Sequence, residues 1–248
     1  MGTAMEADAY LDMAASETRH WWFRGRRQVL DAVIGRLALP RPARILELGS
    51  GTGGNFVMLA RYGQVTAVEM NAVAREISLK KTAAVRDVRP GFLPRDLDLG
   101  DQLFDLVCAF DVLEHVEEDE ATLRTLRDCL APGGAGVLTV PAFRWLWGPH
   151  DTQLHHKRRY KKAELRRKIL AAGLKIERLT YSNMFLFPAA VVARAADKIF
   201  RRAHSTGDGT PPAVLNEAFA AVFGFERHLL GVMDFPVGLS LLAVVRRD

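Results

Sequence analysis

The chain has 248 residues, 49% of them hydrophobic and 25% charged, which suffices to bury one substantial core without division into several domains. Two cysteines and no CxxC pair exclude a disulfide scaffold and a cysteine zinc site, and suit a reducing, cytoplasmic setting. A formal charge of +5 argues against a nucleic-acid partner, no apolar run reaches the roughly 18 residues of a membrane span, and the polar, acidic start lacks a signal-peptide layout.

Apolar spacing and punctuation give the elements in chain order. Residues 26–38 place Val29, Leu30, Val33, Ile34 and Leu37 at helical spacing, and Pro40 with Pro42 end that helix before the buried run Ala43–Leu48. A helix at 55–60, a strand at 64–69 and a helix at 72–81 follow, then strands at 84–88 and 103–110. A helix at 119–130, a turn at 131–134 and a strand at 135–140 closed by Pro141 continue the alternation. After an aromatic, His-rich loop at 142–160 the spacing predicts a helix over 161–172, stopped by Gly173, and a strand over 174–181. Helices at 183–202 and 212–230 flank a polar turn at 205–212, and 237–245 reads as the last strand.

This order predicts an α/β fold: a doubly wound, mainly parallel seven-stranded sheet with a C-terminal helical insertion. It forms one domain, with an N-terminal helical cap at 1–42, a cofactor-binding core at 43–181, a helical insertion or lid at 182–236 and the last strand in 237–248.

The segment from Ile45 to Gly54 (ILELGSGTGG) follows a buried strand and opens a helix, and its glycines let the backbone turn sharply against a bulky ligand. It lacks the GxGxxG spacing of a dinucleotide site, which disfavours a nicotinamide-dependent oxidoreductase. Glu69 closes the next strand, where a carboxylate can accept hydrogen bonds from both ribose hydroxyls of an adenosyl group.

The motif from Glu47 to Gly53, Glu69 at the second strand's end, the run Phe104-Asp-Leu-Val and the turn Leu130-Ala-Pro-Gly-Gly together resemble the class I S-adenosylmethionine-dependent methyltransferases, over roughly residues 40–180. The resemblance implies a Rossmann-like methyltransferase fold with S-adenosylmethionine as cofactor. It places Glu47, Gly49, Gly51 and Gly53 at the methionine part, Glu69 at the ribose and Asp111 at the methionine amino group. Ser50, Asn55, Met70, Leu93 and Phe110 complete the implied cofactor envelope. Many members carry an aspartate after the third strand that meets the adenine amine. This chain has Phe92 there instead, expected to stack on or flank the adenine.

Methyl transfer asks the protein mainly to align the acceptor and, where needed, to remove its proton. Asp111, Glu114 and His115 leave a strand at the crevice, and His115 can act as general base because its ordinary pKa of about 6.5 leaves it neutral at physiological pH. Glu114 and His156 complete the catalytic candidates. A Glu-His pair with a later histidine is also similar to the ubiquinone-pathway O-methyltransferases and the small-RNA 2′-O-methyltransferases, where carboxylates and histidines hold a divalent ion. That likeness implies Asp111, Glu114, His115 and His155 or His156 as ligands for Mg²⁺ or Mn²⁺, with Zn²⁺ or Fe²⁺ as further options. The alternative, taken as the expectation, is a metal-free site in which the pair caps the next helix or lines the pocket.

Trp21, Trp22, Phe23, Trp145 and Trp147 read either as an aromatic acceptor wall or as packing of the N-terminal segment. His20 and His150 are candidates for acceptor contacts, and Met184, Phe185, Phe187 and Pro188 read as core or as an apolar lid. Lys157, Arg158, Arg159 and Tyr160 either grip an acceptor anion or form a solvated face. The function expected is methyl transfer, at oxygen, to a small-molecule, sugar or lipid-like acceptor, with transient membrane-surface contact as an option. The rival from another class is a regulatory protein that binds S-adenosylmethionine without turnover.

Overall fold

Runs such as ARILEL and FDLVCAF are too short and too continuously apolar for surface helices, and both become strands buried on two faces. The computed structural model describes residues 7–81, 85–199 and 209–247. Residues 205–208 of the polar turn and 200–202 of the helix read at 183–202 lie outside the described residues.

Helices α1 (Ala7–Ser16) and α2 (Trp21–Ile34) lead into β1 (Ala43–Leu48), α3 (Phe56–Leu59), β2 (Gly63–Glu69), α4 (Ala72–Leu79) and β3 (Val85–Pro90). Then come β4 (Phe104–Phe110), α5 (Asp119–Cys129), β5 (Leu130–Pro141), α6 (Pro149–Gln153), α7 (Lys162–Ala171) and β6 (Lys175–Ser182). Helices α8 (Phe187–Ile199) and α9 (Ala213–Leu229) precede β7 (Ser240–Arg246). The seven strands form one sheet in the order β3-β2-β1-β4-β5-β7-β6, with β1 to β5 parallel and β7 antiparallel between β5 and β6. This is the doubly wound sheet expected. The strand order reverses between β1 and β4, and in such sheets the ligand crevice opens beyond the strand ends at that reversal.

Several elements differ from the sequence reading, α6 among them because it lies in the loop read at 142–160. Helix α1 has no counterpart in it, and α2 begins at Trp21 rather than at residue 26 because His20 caps it: the His20 Nδ1 accepts from the Trp22 N–H at 3.2 Å. The turn at 131–134 lies inside β5, where the register passes from Phe104 opposite Leu130 to Leu106 opposite Ala135, so that the extra residues bulge out. Among the described residues no helix is long and apolar enough to cross a membrane.

Between β6 and β7, α9 packs along α2. A Cβ at Gly25 would lie 2.6 Å from the Phe223 ring, so the two helices approach at a position that only glycine allows. Trp21 meets Phe219 and Phe223 edge-on, and the Asn216 amide joins the Trp21 N–H to the Arg19 carbonyl. Glu226, fully buried on α9, accepts from the backbone N–H groups of Asn183, Met184 and Phe185 at 2.7, 2.6 and 3.1 Å. That one carboxylate fixes the path from β6 toward α8. Glu226→Ala leaves three backbone donors without their acceptor, that of buried Asn183 among them, and is expected to cost about 2–3 kcal/mol by denaturant titration. Glu217→Ala, which removes an exposed partner of Arg24, is expected to leave the midpoint of the same titration almost unchanged.

Candidate active site

The parallel strands end at one edge, and four carboxyl groups cluster there. Glu47 in β1 and Glu69 at the end of β2 are 1% and 5% exposed, Asp111 follows β4, and Glu114, three residues on, is fully buried. The glycine turn leaves β1 with Gly49 at φ +65°, where a Cβ would lie 2.8 Å from Val112. Gly51, at φ +55°, donates its N–H to Glu69 at 2.8 Å, and the other Glu69 oxygen accepts from Asn71 N at 2.8 Å. A carboxylate oxygen accepts more than one hydrogen bond, so both Glu69 oxygens keep capacity for a diol.

Around this turn several polar atoms are buried without partners: Glu47 Oε2, Ser50 Oγ and Asn55 Oδ1. The other Glu47 oxygen accepts from the Asn55 amide at 2.7 Å. Burial pushes the Glu47 carboxyl up to about 7, against the opposing pull of Asn55 and Arg26, and it pushes Glu69 up as well. Buried polar atoms are almost always bonded, so these orphans suit a ligand that brings its own donors. Phe110 is buried in the core beside this edge, and Leu93 is half-buried against it. Met70 and Phe92, by contrast, are exposed after β2 and β3.

Residues that the sequence reading omitted close the turn from the N-terminal side. Glu17 of the segment after α1 accepts from Thr52 Oγ1 at 2.6 Å and pairs with Lys81, while its carbonyl accepts from Arg27 at 2.7 Å. Met13 Sδ lies 3.6 Å from where a Gly51 Cβ would stand. Tyr10, Met13, Ala14 and Glu17 recur at helical spacing, a signal present in the sequence. Arg26, also omitted, pairs with Asp111, and its guanidinium lies 4.4 Å from the Trp22 ring centre and 5.9 Å from that of Phe23. Trp22 and Phe23 thus wall a buried cation at the crevice, whereas Trp21 packs α2 on α9.

Beyond β5 the chain makes a closed excursion. Tyr160 N donates to Pro141 O and Phe143 N donates to Tyr160 O, each at 2.9 Å, so residues 142–160 leave and rejoin at one point. Asp151, fully buried on α6, holds the excursion together: it accepts from Gly148 N at 2.9 Å and from Arg159 Nε at 2.7 Å, and pairs with His156 Nδ1 at 2.9 Å. Burial alone would raise the Asp151 carboxyl, but His156 and Arg159 hold it well below the usual carboxylate range. Lys157 N donates to Glu114 O at 2.7 Å, docking the excursion on the loop after β4.

The result is that His156 meets His115 edge-on, ring centres 4.7 Å apart, beside Glu114. One ligand atom from each of Glu114, His115 and His156 lies within 4.8 Å of the other two, and both Glu114 oxygens lack a partner. Asp111 stands outside this group, engaged by Arg26, and His155 is exposed, so of the four ligands inferred by likeness three converge. Burial, then the positive charge that His156 and His155 can carry, pushes His115 down to about 3, and burial with the neighbouring Asp111 raises Glu114.

The basic run is corrected by the fold. Arg158 and Lys168 pair with Asp119, which also accepts from the buried Tyr160 hydroxyl at 2.8 Å, and Arg159 is 7% exposed against Asp151. These groups are bound internally, so they form neither an anion grip nor a solvated face. Lys157 reaches outward to exposed Glu117, and Arg158 also touches it.

A model of a methyltransferase domain matches residues 22–179. A ubiquinone biosynthesis O-methyltransferase of Xanthomonas campestris pv. campestris (strain B100) is 35% identical over 144 residues, covering 52% of this chain. The chain spans 59% of that relative's length. In fold, the complex between the Haloferax volcanii Trm112 methyltransferase activator and a methyltransferase aligns with TM-score 0.62 at 17% identity, over 98% of this chain and 94% of the other. The [4+2]-cyclase SpnF aligns with TM-score 0.59 at 20% identity, over 90% and 80%.

The depressed Asp151 carboxyl stabilises the fold above its unfolded pKa, near 3.8, and that contribution is lost as pH falls below it. Asp151→Asn is therefore expected to lower stability by about 2 kcal/mol or more at neutral pH. In denaturant titrations taken below about pH 4 the difference from the native chain should shrink toward zero.

Proposed function

The chain belongs to the methyltransferase domain family, and on that premise we propose that it binds S-adenosylmethionine at the glycine turn and transfers the methyl group to an oxygen of a small-molecule, sugar or lipid-like acceptor. The observation that carries the reading is the set of orphaned buried atoms, Glu47 Oε2, Ser50 Oγ and Asn55 Oδ1, at a turn whose next strand ends in Glu69. Glu47 supplies a buried carboxylate for an ammonium group, and Glu69 supplies two acceptor oxygens for a ribose diol. The charge of the crevice favours a cationic ligand: Glu17, Glu47, Glu69, Asp111 and Glu114 face Arg26, Arg27 and Lys81.

When bound, S-adenosylmethionine supplies an activated methyl group on a sulfonium leaving group. What remains for the protein is alignment and proton removal. Arg26 holds Asp111 at the crevice, and Trp22 and Phe23 wall that cation against the acceptor side. His115, which burial keeps neutral, offers a ring nitrogen to an acceptor hydroxyl beside Glu114, with His156 fixed next to them by Asp151. The homologue named for O-methylation supports oxygen as the receiving atom.

A second reading has its own observation. The convergence of a carboxylate without partners and two imidazoles suits a divalent cation, which Glu114, His115 and His156 would hold and which would lower the pKa of an acceptor hydroxyl. Titration of the protein with Mn²⁺ or Zn²⁺ is expected to show one site that Glu114→Gln removes; absence of heat, together with turnover undiminished after chelation, would leave the metal-free arrangement standing.

Calorimetric titration with S-adenosylmethionine and S-adenosylhomocysteine tests the main reading. Binding in the micromolar range is expected, weakened about tenfold or more in Glu69→Ala, because a buried diol contact is lost. No binding by the folded native chain would overturn the proposal, and binding without transfer to any hydroxyl acceptor would favour a regulatory role. Glu47 adds a pH signature. Its free carboxyl is largely protonated below about 7, so a cationic ligand should expel a proton. Titrations near pH 6.5 in buffers of different ionisation enthalpy are expected to show that release in the native chain and its loss in Glu47→Gln.

A further inference from the structure

We propose that Glu17 latches α1 over the glycine turn as a strap, and that S-adenosylmethionine enters and its product leaves only when this latch opens. The groups assigned to the cofactor are sealed as the chain stands: Glu47, Ser50, Asn55 and Glu69 are all at most 6% exposed. A ligand that reaches them has to displace whatever covers them. Part of that cover is α1. Met13 Sδ lies 3.6 Å from where a Gly51 Cβ would stand, and Gly51 is the residue whose N–H meets Glu69. Tyr10, one turn earlier, is buried, and burial followed by the charge of Glu69 pushes its phenol up. A ribose held by Glu69 would therefore lie beneath Tyr10 and Met13.

Glu17 fastens this helix from just beyond its end. It is buried, its two carboxylate oxygens go separately to Thr52 Oγ1 at 2.6 Å and to Lys81, and its carbonyl accepts from Arg27 at 2.7 Å. Those partners belong to the glycine turn, to the turn after α4 and to α2, so one residue ties the strap to three parts of the site. A Cβ at Gly54 would lie 2.5 Å from the Glu17 carboxylate, so the glycine there makes room for the latch.

Of the described elements around the turn, α1 is the least anchored. Strands β1, β2 and β4 lie inside the sheet, and α2 buries Val29, Leu30, Val33 and Ile34 and packs along α9. The excursion is pinned by Asp151. Between residues 10 and 16 only Tyr10 is buried, whereas Leu11, Asp12 and Ala15 are exposed. Local opening favours the element with least buried apolar surface, so α1 depends on the polar latch to stay closed. Closed, the strap keeps water from the cofactor side; open, it admits exchange. Glu17 is thus a positioning residue that acts through α1. The inference rests on the proposed cofactor site, and its test requires no turnover.

The experiment is surface plasmon resonance of S-adenosylhomocysteine over the captured full chain, paired with hydrogen–deuterium exchange. Because the latch limits opening whether or not the site is filled, Glu17→Gln is expected to raise the association and dissociation rates together, each about tenfold, and to change Kd by less than about threefold. Lys81→Met, which removes one latch partner at a half-buried position, should raise both rates by a smaller factor and carries the test should Glu17→Gln not fold. Without ligand, the amides of residues 10–17 should exchange about tenfold faster in Glu17→Gln while those of α2 stay as in the native chain, and S-adenosylhomocysteine should slow the native exchange of α1. Native-like rates in both variants, or native-like exchange of residues 10–17 in Glu17→Gln, overturn the latch alone. Weaker affinity carried by dissociation with association unchanged also overturns it, in favour of a simple packing contact. A folded native chain that binds no S-adenosylhomocysteine overturns the latch and the cofactor reading together.

Discussion

The structure turns on the burial of carboxyl groups at one edge of a parallel sheet. Parallel strands all finish on the same side, so residues placed late in β1 and β2 and just after β4 are brought together whatever their distance in sequence. Glu47, Glu69 and Glu114 are each at most 5% exposed there, and burial raises all three carboxyls. Compensation is partial: the Asn55 amide for Glu47, two backbone N–H groups for Glu69, and no hydrogen-bond partner for either Glu114 oxygen. Unpaired buried charge opposes folding, and a chain keeps it only where a ligand, a cation or a proton completes the site.

Much of this was legible because it is local. The glycine turn, the acid that ends the following strand and the Asp-Glu-His run are short motifs whose meaning depends on the strand before them, and the strands are continuous apolar runs. What escaped depended on tertiary contact. Helix α1 is only ten residues long and becomes recognisable through what Met13 and the following Glu17 touch, since the glycine turn that receives them lies far along the chain. Arg26 lies on the same face of α2 as Leu30 and Val33, and an arginine at such a position reads as surface until Asp111 is placed opposite it. The basic run failed for the complementary reason: its partners Asp119 and Asp151 come from elements that a one-dimensional charge count cannot bring near.

The choice between two adjacent histidines shows how far position is decided at a distance. His155 and His156 are equivalent in sequence, yet His155 takes φ +53° and turns outward, while His156 is drawn in by Asp151. Asp151 can do this because Gly148 caps α6 and the helix's first turn lets the carboxylate reach back to the Gly148 N–H. Lys157 N then bonds Glu114 O, and the histidine beside it arrives at His115. The excursion therefore behaves as a strut between the ends of β4 and β5, and its basic residues are its fasteners.

The same logic separates cofactor from acceptor. The cofactor side is made by strand ends and a tight turn, whose geometry the sheet dictates, and its chemistry is correspondingly easy to read. In the proposed reading the acceptor side is made by α2 and the excursion, and the excursion and the inserted helices are held to the sheet by a few polar anchors such as Asp151 and Glu226. Helix α9 is apolar on the face that meets α2 and apolar again on the face that meets solvent. A helix with both faces apolar has two packing surfaces. The fold uses one of them against α2, and the other faces outward.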